Sequence, residues 1–167
     1  MTTDGESMAD RELMNKRITL QRVRNTLKTV EGVEVLHIYE ESEPALDRVL
    51  DMLGDLGYTS YSKLPDSSID EHTDDASLYE WVAECIGLEK GAVFFLRCEG
   101  FWVKIRIADR ETAARSLWND IEPRCKGFTV LNEKMDRFMD IGNDSRDEQN
   151  YLFDEYHIPE FDIHSYR

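Results

Sequence analysis

Two consecutive strand-like runs joined by a two-residue turn constrain the fold of this chain most. Residues 92–96 form an almost purely apolar run, and residues 101–107 alternate between apolar and basic side chains. The Glu99-Gly100 pair between them has the length and composition of a tight hairpin. Because a hairpin joins antiparallel neighbours, the sequence predicts an antiparallel or mixed sheet rather than a doubly wound parallel one.

The rest of the chain alternates between helical and strand-like patterns. We predict helices over residues 9–30, 44–53, 75–86 and 110–121, and further strands over 33–39, 58–64, 128–131, 138–141 and 151–156. Residues 65–75 read as a polar loop. The predicted fold class is α+β, a small antiparallel or mixed sheet with helices packed on at least one face.

Length and composition fit one domain. The chain has 167 residues, of which 41% are hydrophobic, enough to bury a core. We expect residues 1–8 to be a disordered N-terminus and residues 9–167 to form a single α+β domain that begins with a basic amphipathic helix over 9–30.

That first helix carries one apolar stripe and an unusual charge. The stripe repeats at helical spacing through Leu13, Leu20, Val23, Leu27 and Val30. No acidic residue occurs between Leu13 and Val30, although the remainder of the protein is acidic. We predict that the helix docks on its own acidic body, with a homodimer through helix 9–30 as the alternative.

The overall charge excludes several classes of partner. Twenty Lys and Arg oppose 35 Asp and Glu, a formal net charge of −15 at pH 7. Direct nucleic-acid binding and binding to an anionic membrane surface both need the opposite balance. No apolar run approaches the roughly 20 residues of a spanning helix, and the N-terminus does not resemble a secretory signal. We therefore expect a cytoplasmic protein that does not act at a membrane.

Familiar catalytic and cofactor motifs are absent. The sequence contains no P-loop, no G-x-G-x-x-G, no G-x-S-x-G and no H-E-x-x-H pattern. His157 and His164 lie among acids near the C-terminus, but their spacing of seven specifies no metal geometry. With 35 acids, carboxylate pairs cannot be assigned from spacing. We predict no catalytic residue, no metal site and no cofactor.

The spacing and the odd number of the three cysteines do not indicate a set of disulfide bonds. Cys85 and Cys98 follow apolar patterns and are expected to be buried free thiols in a reducing compartment. Cys125 lies between Arg124 and Lys126, whose charges could lower the pKa of its thiol.

Acidic residues concentrate in two segments that also carry aromatic side chains. Residues 40–84 hold thirteen acids and two bases, and residues 133–167 hold ten acids and four bases. The interleaved aromatics are Tyr58, Tyr61, Tyr79 and Trp81 in the first segment and Tyr151, Phe153, Tyr156, Phe161 and Tyr166 in the second. Acids beside Tyr and Trp suit a basic protein partner, because charge speeds encounter and aromatics anchor the contact. A solvated acidic surface that keeps the protein soluble explains the same composition.

These patterns lead to a prediction of function. We expect an acidic, non-enzymatic binding protein that neutralises a basic protein partner, of the toxin-immunity or phage- and defence-inhibitor type. The candidate partner-binding residues are Asp70, Glu71, Asp74 and Asp75 in one segment and Asp144, Asp147, Glu148, Tyr151 and Tyr156 in the other, the second being preferred. The alternatives are a small cytosolic enzyme or ligand-binding domain, with Arg97, Lys104 and Arg106 near a pocket, and an oligomeric accessory protein.

Overall fold

The computed structural model describes residues 7–56, 58, 63–122 and 124–159, which form four helices and seven strands. The helices are α1 Met8–Thr29, α2 Pro44–Asp55, α3 Asp75–Ile86 and α4 Arg110–Asp120. The strands are β1 Val33–Tyr39, β2 Ser67–Asp70, β3 Val93–Cys98, β4 Phe101–Ile107, β5 Gly127–Asn132, β6 Arg137–Asp144 and β7 Asp147–His157.

All seven strands join one sheet in the order β1-β4-β3-β5-β6-β7-β2. Every neighbouring pair is antiparallel, and the hairpin at Glu99-Gly100 joins β3 and β4 through two residues with positive φ. The predicted α+β class with an antiparallel sheet is therefore confirmed. None of the described helices is both long enough and apolar enough to cross a bilayer.

Helices cover the sheet unequally. On one face, α1, α3 and α4 pack against the sheet around a large apolar core that includes Val82, Trp118 and Ile105. On the other face, α2 alone packs its Leu46, Val49 and Leu53 against a smaller core of sheet residues. The second face, which we call the α2 face, is thus only partly covered.

The first helix docks through its C-terminal half only. Leu20, Val23, Leu27 and Val30 are buried, as the stripe predicts. Leu13 belongs to the same stripe but is 47% exposed. Exposed apolar side chains therefore mark the first half of α1: Met8, Leu13, Met14 and Ile18.

Local sequence signals fix most helix ends. Asp74 caps α3 by accepting a hydrogen bond from the Ser77 amide at 3.0 Å, and Asp109 caps α4 in the same way through Thr112. Gly87 ends α3 in the left-handed conformation. At the start of α2, Glu43 is the N-cap residue, and its side chain makes no capping hydrogen bond.

The edge strand beside β7 lies later in the chain than the sequence suggested. Most of the predicted strand 58–64 falls outside the described residues, and Lys63 and Leu64 are not in a strand. The edge is instead β2, at residues 67–70, inside the predicted polar loop. Its sequence, Ser-Ser-Ile-Asp, has little strand propensity, and pairing with β7 overrides that preference.

Candidate functional site

Pairing of β2 with β7 brings the two predicted acidic segments together. Asp70 lies opposite Asn150 in the register, and the Glu71 amide donates to the Gln149 carbonyl at 3.0 Å. A turn closed by the Thr73 amide and the Asp70 carbonyl then leads into α3. We call the resulting surface the acidic edge; its members are Asp70, Glu71, Asp74, Asp75, Asp147 and Glu148.

Three carboxylates of the acidic edge also hold the backbone. The side chain of Asp70 accepts from the His72 amide at 2.7 Å, and that of Asp147 accepts from the Gln149 amide at 2.9 Å. A hydrogen bond from the Ser77 amide lowers the pKa of Asp74, and one from the Asn150 side chain lowers the pKa of Asp147. Asp74 and Asp147 are therefore firmly ionised at neutral pH.

The other three members accept no such hydrogen bond from the backbone of the described residues. Asp75 and Glu148 are exposed, and Glu71 contacts only the imidazole of His72 among its neighbours in the described residues, at 3.4 Å. Between residues 66 and 75 the chain contains five carboxylates and no Lys or Arg. The acidic edge therefore presents uncompensated negative charge to solvent.

Asp144 belongs to an internal ion-pair cluster rather than to the acidic edge. Arg146 binds Asp144 at 2.9 Å and also binds Asp154. Burial would raise the pKa of Asp144, but the hydrogen bonds from Arg146 outweigh it and lower the pKa. Lys63 donates to Asp154 at 3.2 Å, so both cations near the edge are already engaged.

The two candidate tyrosines occupy different environments. Tyr151 is half-buried and stacks edge-to-face on Trp118, with 4.8 Å between ring centroids. It also lines an open cavity of about 360 Å³. Tyr156 is only 6% exposed and packs against Phe138 in the smaller core. Tyr151 can therefore be reached from solvent, whereas Tyr156 supports the sheet. Three other aromatic candidates, Tyr61, Phe161 and Tyr166, lie outside the described residues.

A polar row crosses the α2 face. Directly paired residues of an antiparallel sheet share a face, and successive pairing joins the members of the row. They are Tyr39, Trp102, Arg97, Thr129, Asp140 and Asp154, one from each strand from β1 to β7 in sheet order. The adjacent row, which contains Phe95, Leu131 and Phe138, is apolar and lies beneath α2. No sequence motif indicates this row, because its members come together only through the strand register.

Within the polar row, Asp140 and Asp154 form a like-charged pair. Asp154 is buried and has two cations as partners. The one hydrogen-bond donor to Asp140 in the described part of the chain is the Thr129 hydroxyl, at 3.0 Å. Burial raises the pKa of Asp140, and the charge of Asp154 raises it further, against the opposing effect of Thr129. Two carboxyls with such different surroundings resemble the arrangement used for acid–base chemistry.

The three basic strand residues of the alternative hypothesis share the α2 face but make different contacts. Arg97 lines a cavity of about 240 Å³ at the start of α2. Lys104 lies 5.8 Å from the ring centroid of Phe95, and Arg106 forms an exposed ion pair with Glu34 at 3.0 Å. Neither Lys104 nor Arg106 is among the residues that line the cavity of Arg97.

The cysteines are free thiols without activation. Burial raises the pKa of Cys85 and of Cys98 to about 11. Cys125 is exposed, and its pKa is raised by partial burial and by the charges of Glu122 and Asp140. This direction is opposite to the one that Arg124 and Lys126 suggested.

Neither the search for metal ligands nor the comparison with known proteins points to a particular class of function. Within the described residues, no three His, Cys, Asp or Glu side chains group closely enough to hold a metal ion. His157 is largely exposed beside Glu155, and His164 lies outside the described residues. Comparison with known proteins finds no matching family model, no similar curated protein and no similar solved structure.

Proposed function

We propose that this protein is a non-enzymatic binding protein that neutralises a basic protein partner, of the toxin-immunity or phage- and defence-inhibitor type. Its binding face is the acidic edge together with Tyr151. The observation that carries the proposal is the pairing of β2 with β7, because this pairing gathers carboxylates from two distant segments on one edge of the sheet.

The electrostatics of the acidic edge support this proposal. Its free carboxylates are exposed, and two cations of the neighbouring segments, Lys63 and Arg146, are engaged by Asp154 and Asp144. An uncompensated cluster of this kind creates a potential that steers an oppositely charged protein toward the edge. Steering raises the association rate more than it strengthens the final complex.

Tyr151 supplies the second element of a binding face. Its ring is held by Trp118, so its conformation is restricted before a partner arrives. A partly exposed, rigid aromatic side chain loses little conformational entropy on binding and is a typical anchor. We propose that Tyr151 slows dissociation, while the carboxylates of the acidic edge accelerate association.

We also propose a reducing, cytoplasmic setting, supported by three cysteines that are all free thiols.

The test removes charge without removing backbone hydrogen bonds. The triple variant Glu71→Gln, Asp75→Asn, Glu148→Gln neutralises the free members of the acidic edge. The matched control, Asp51→Asn, Glu111→Gln, Glu133→Gln, changes net charge equally at exposed positions elsewhere. The probes are the basic proteins that the immobilised protein retains from lysate at low salt, with polylysine as a reference for unspecific binding.

We expect the edge variant to associate about three- to tenfold more slowly at low salt, with an unchanged dissociation rate. The control should change the association rate less than twofold. Equal slowing by both variants would show that net charge alone acts. Retention of no basic protein, or only of proteins that polylysine displaces, would overturn the proposal.

A second candidate function is a small ligand-binding domain or enzyme. The cavity beside Arg97 and the Asp140–Asp154 pair favour it. Saturable small-molecule binding that is unaffected by the edge variant, together with no protein partner, would favour this candidate.

A further inference from the structure

The cavity at the start of α2 is built from four elements of the fold. It is lined by Tyr39 at the end of β1, by the first turn of α2, by the β3–β4 hairpin and by Lys16 of α1. Its apolar wall includes Trp102 and Leu50. The volume of about 240 Å³ lies below the roughly 300–1,000 Å³ of typical ligand pockets, so the cavity suits a small metabolite.

Arg97 is the unusual member of this wall. Its side chain is half-buried, and its guanidinium carbon lies 5.0 Å from the ring centroid of Trp102. It makes no hydrogen bond and no ion pair with any residue in the described part of the chain. Burial lowers the pKa of Arg97 although the charge of Asp47 opposes the shift, so Asp47 offsets only part of the cost of holding this cation away from water. An anion at this point would offset that cost and match the planar fork of donors.

Acids in the same lining exclude a plain anion. Glu40 and Glu41 are paired with Arg24 and Lys16. Among the described residues, Glu43 has no such cation, and Asp47 accepts a side-chain hydrogen bond only from Ser42. A multiply charged anion would be repelled by Glu43 and Asp47, and a simple cation would be repelled by Arg97. A molecule that carries one positive and one negative charge can avoid both repulsions, because each of its charges can face a residue of opposite sign.

We propose that this cavity binds a small zwitterion of the α-amino-acid type. The ligand carboxylate pairs with Arg97, its ammonium group faces Asp47 and Glu43, and its side chain packs against Trp102 and Leu50. This site is separate from the acidic edge, because its residues belong to β1, α2 and the β3–β4 hairpin rather than to β2, β7 and the start of α3.

The test follows nuclear magnetic resonance signals during titration with each of the common L-amino acids to about 10 mM. The reporters are the indole N–H of Trp102 and the Nε–H of Arg97. We expect saturable shifts of both signals with at least one amino acid. The best ligand is then compared with its amine, which lacks the carboxylate, and with its acid, which lacks the ammonium group. Each should bind at least tenfold more weakly.

Variants separate this site from unspecific binding. Arg97→Gln should abolish the shifts of the Trp102 indole, and Asp47→Asn or Glu43→Gln should weaken binding of the zwitterion but not of the amine-free acid. Arg106→Gln, in the same sheet but paired with Glu34 at the surface, should bind normally. Thermal unfolding confirms that each variant is folded. Absence of saturable shifts with every amino acid, equal binding of the amine-free acid, or normal binding by Arg97→Gln would overturn the proposal.

Discussion

Asp140 on β6 and Asp154 on β7 lie directly opposite each other on the α2 face of the sheet. Lys63 and Arg146 bind Asp154, whereas the only hydrogen-bond donor to Asp140 in the described structure is the hydroxyl of Thr129. The two carboxyls are therefore chemically unequal although they share one register position. This asymmetry determines how each responds to pH and to substitution.

The first prediction concerns Asp140. Because its folded-state pKa is raised, the protonated carboxyl stabilises the fold fully below the unfolded pKa, near 3.8, and this stabilisation is lost as pH rises through the folded pKa. Asp140→Asn should raise the free energy of unfolding at pH 7 by about 0.5–1 kcal/mol, the order of a like-charged cross-strand pair. Urea unfolding measured at intervals from about pH 3 to about pH 8 gives the free energy of unfolding against pH, and this curve should be flatter for the variant than for the wild type.

The exposed substitution Asp51→Asn is the control for this experiment and should leave the profile unchanged. A loss of stability in Asp140→Asn at pH 7 would mean that the charged carboxylate is needed at this position.

The second prediction concerns Arg146, whose side chain is 12% exposed between Asp144 and Asp154. Arg146→Gln leaves a buried carboxylate with Lys63 as its remaining cation, and should lower the free energy of unfolding by about 2–3 kcal/mol. Adding Asp154→Asn should recover part of that loss. Denaturant unfolding of the two single variants and the double variant measures the coupling; additive losses would contradict the pairing.

The third prediction concerns Tyr151 as an anchor. Tyr151→Ala should speed dissociation from a basic partner with little change in the association rate, because the residue carries no charge. Tyr151→Phe keeps the contact with Trp118 and should retain slow dissociation unless the hydroxyl itself is bound. Surface plasmon resonance separates the two rates, and a Tyr151→Ala variant with unchanged dissociation would remove this residue from the binding face.

The fourth prediction concerns the two halves of α1. Deleting residues 1–30 removes four buried apolar side chains and should lower the free energy of unfolding by at least about 4 kcal/mol. Deleting only residues 1–18 should leave stability nearly unchanged in the monomer. Equal losses in both truncations, measured by urea unfolding, would show that the exposed half also docks.

The same truncation tests self-association. Met8, Leu13, Met14 and Ile18 are exposed together on the first half of α1, and we expect them to form the homodimer contact if the protein dimerises through helix 9–30. Sedimentation of the full chain should then show a mass that depends on concentration, and the 1–18 deletion should be monomeric. A full chain that stays monomeric at high concentration would exclude the dimer.

The fifth prediction concerns thiol reactivity. Cys125 should react with a thiol reagent in the folded protein, because it is exposed, but more slowly than a free cysteine at pH 7, because its pKa is raised. Cys85 and Cys98 should react only slowly until the protein is unfolded. Mass spectrometry of time-resolved alkylation measures all three, and rapid labelling of Cys98 would contradict its burial.

Local sequence signals predict much of the fold because they act over a few residues. The hairpin at Glu99-Gly100 and the caps at Asp74 and Asp109 involve neighbours in the chain, and the structure has each of them. The edge strand β2 could not be found in this way, because Ser67 and Ser68 are strand residues only by virtue of pairing with Leu152 and Phe153.

The candidate sites depend even more on distant pairing. The acids of the edge are visible in the sequence as two concentrations of charge, but the sequence could not show that β2 and β7 place them side by side. Asp140 and Asp154 are fourteen residues apart, and only the register of β6 with β7 makes them opposite neighbours. The sequence suggests Arg97 as a pocket residue because it is a basic residue of a predicted strand. Its position beside the start of α2 depends on tertiary packing.

The two edges of the sheet also differ in what they offer to another strand. β2 is four residues long and ends in carboxylates, so it makes a poor template for further pairing. β1 is seven residues long and pairs only with β4. Mutual repulsion between copies with a net charge of −15 opposes edge-to-edge contact at neutral pH. Acidification removes that repulsion while leaving the backbone of β1 unchanged, so aggregation in acid should begin with strand addition at β1 rather than at the acidic edge.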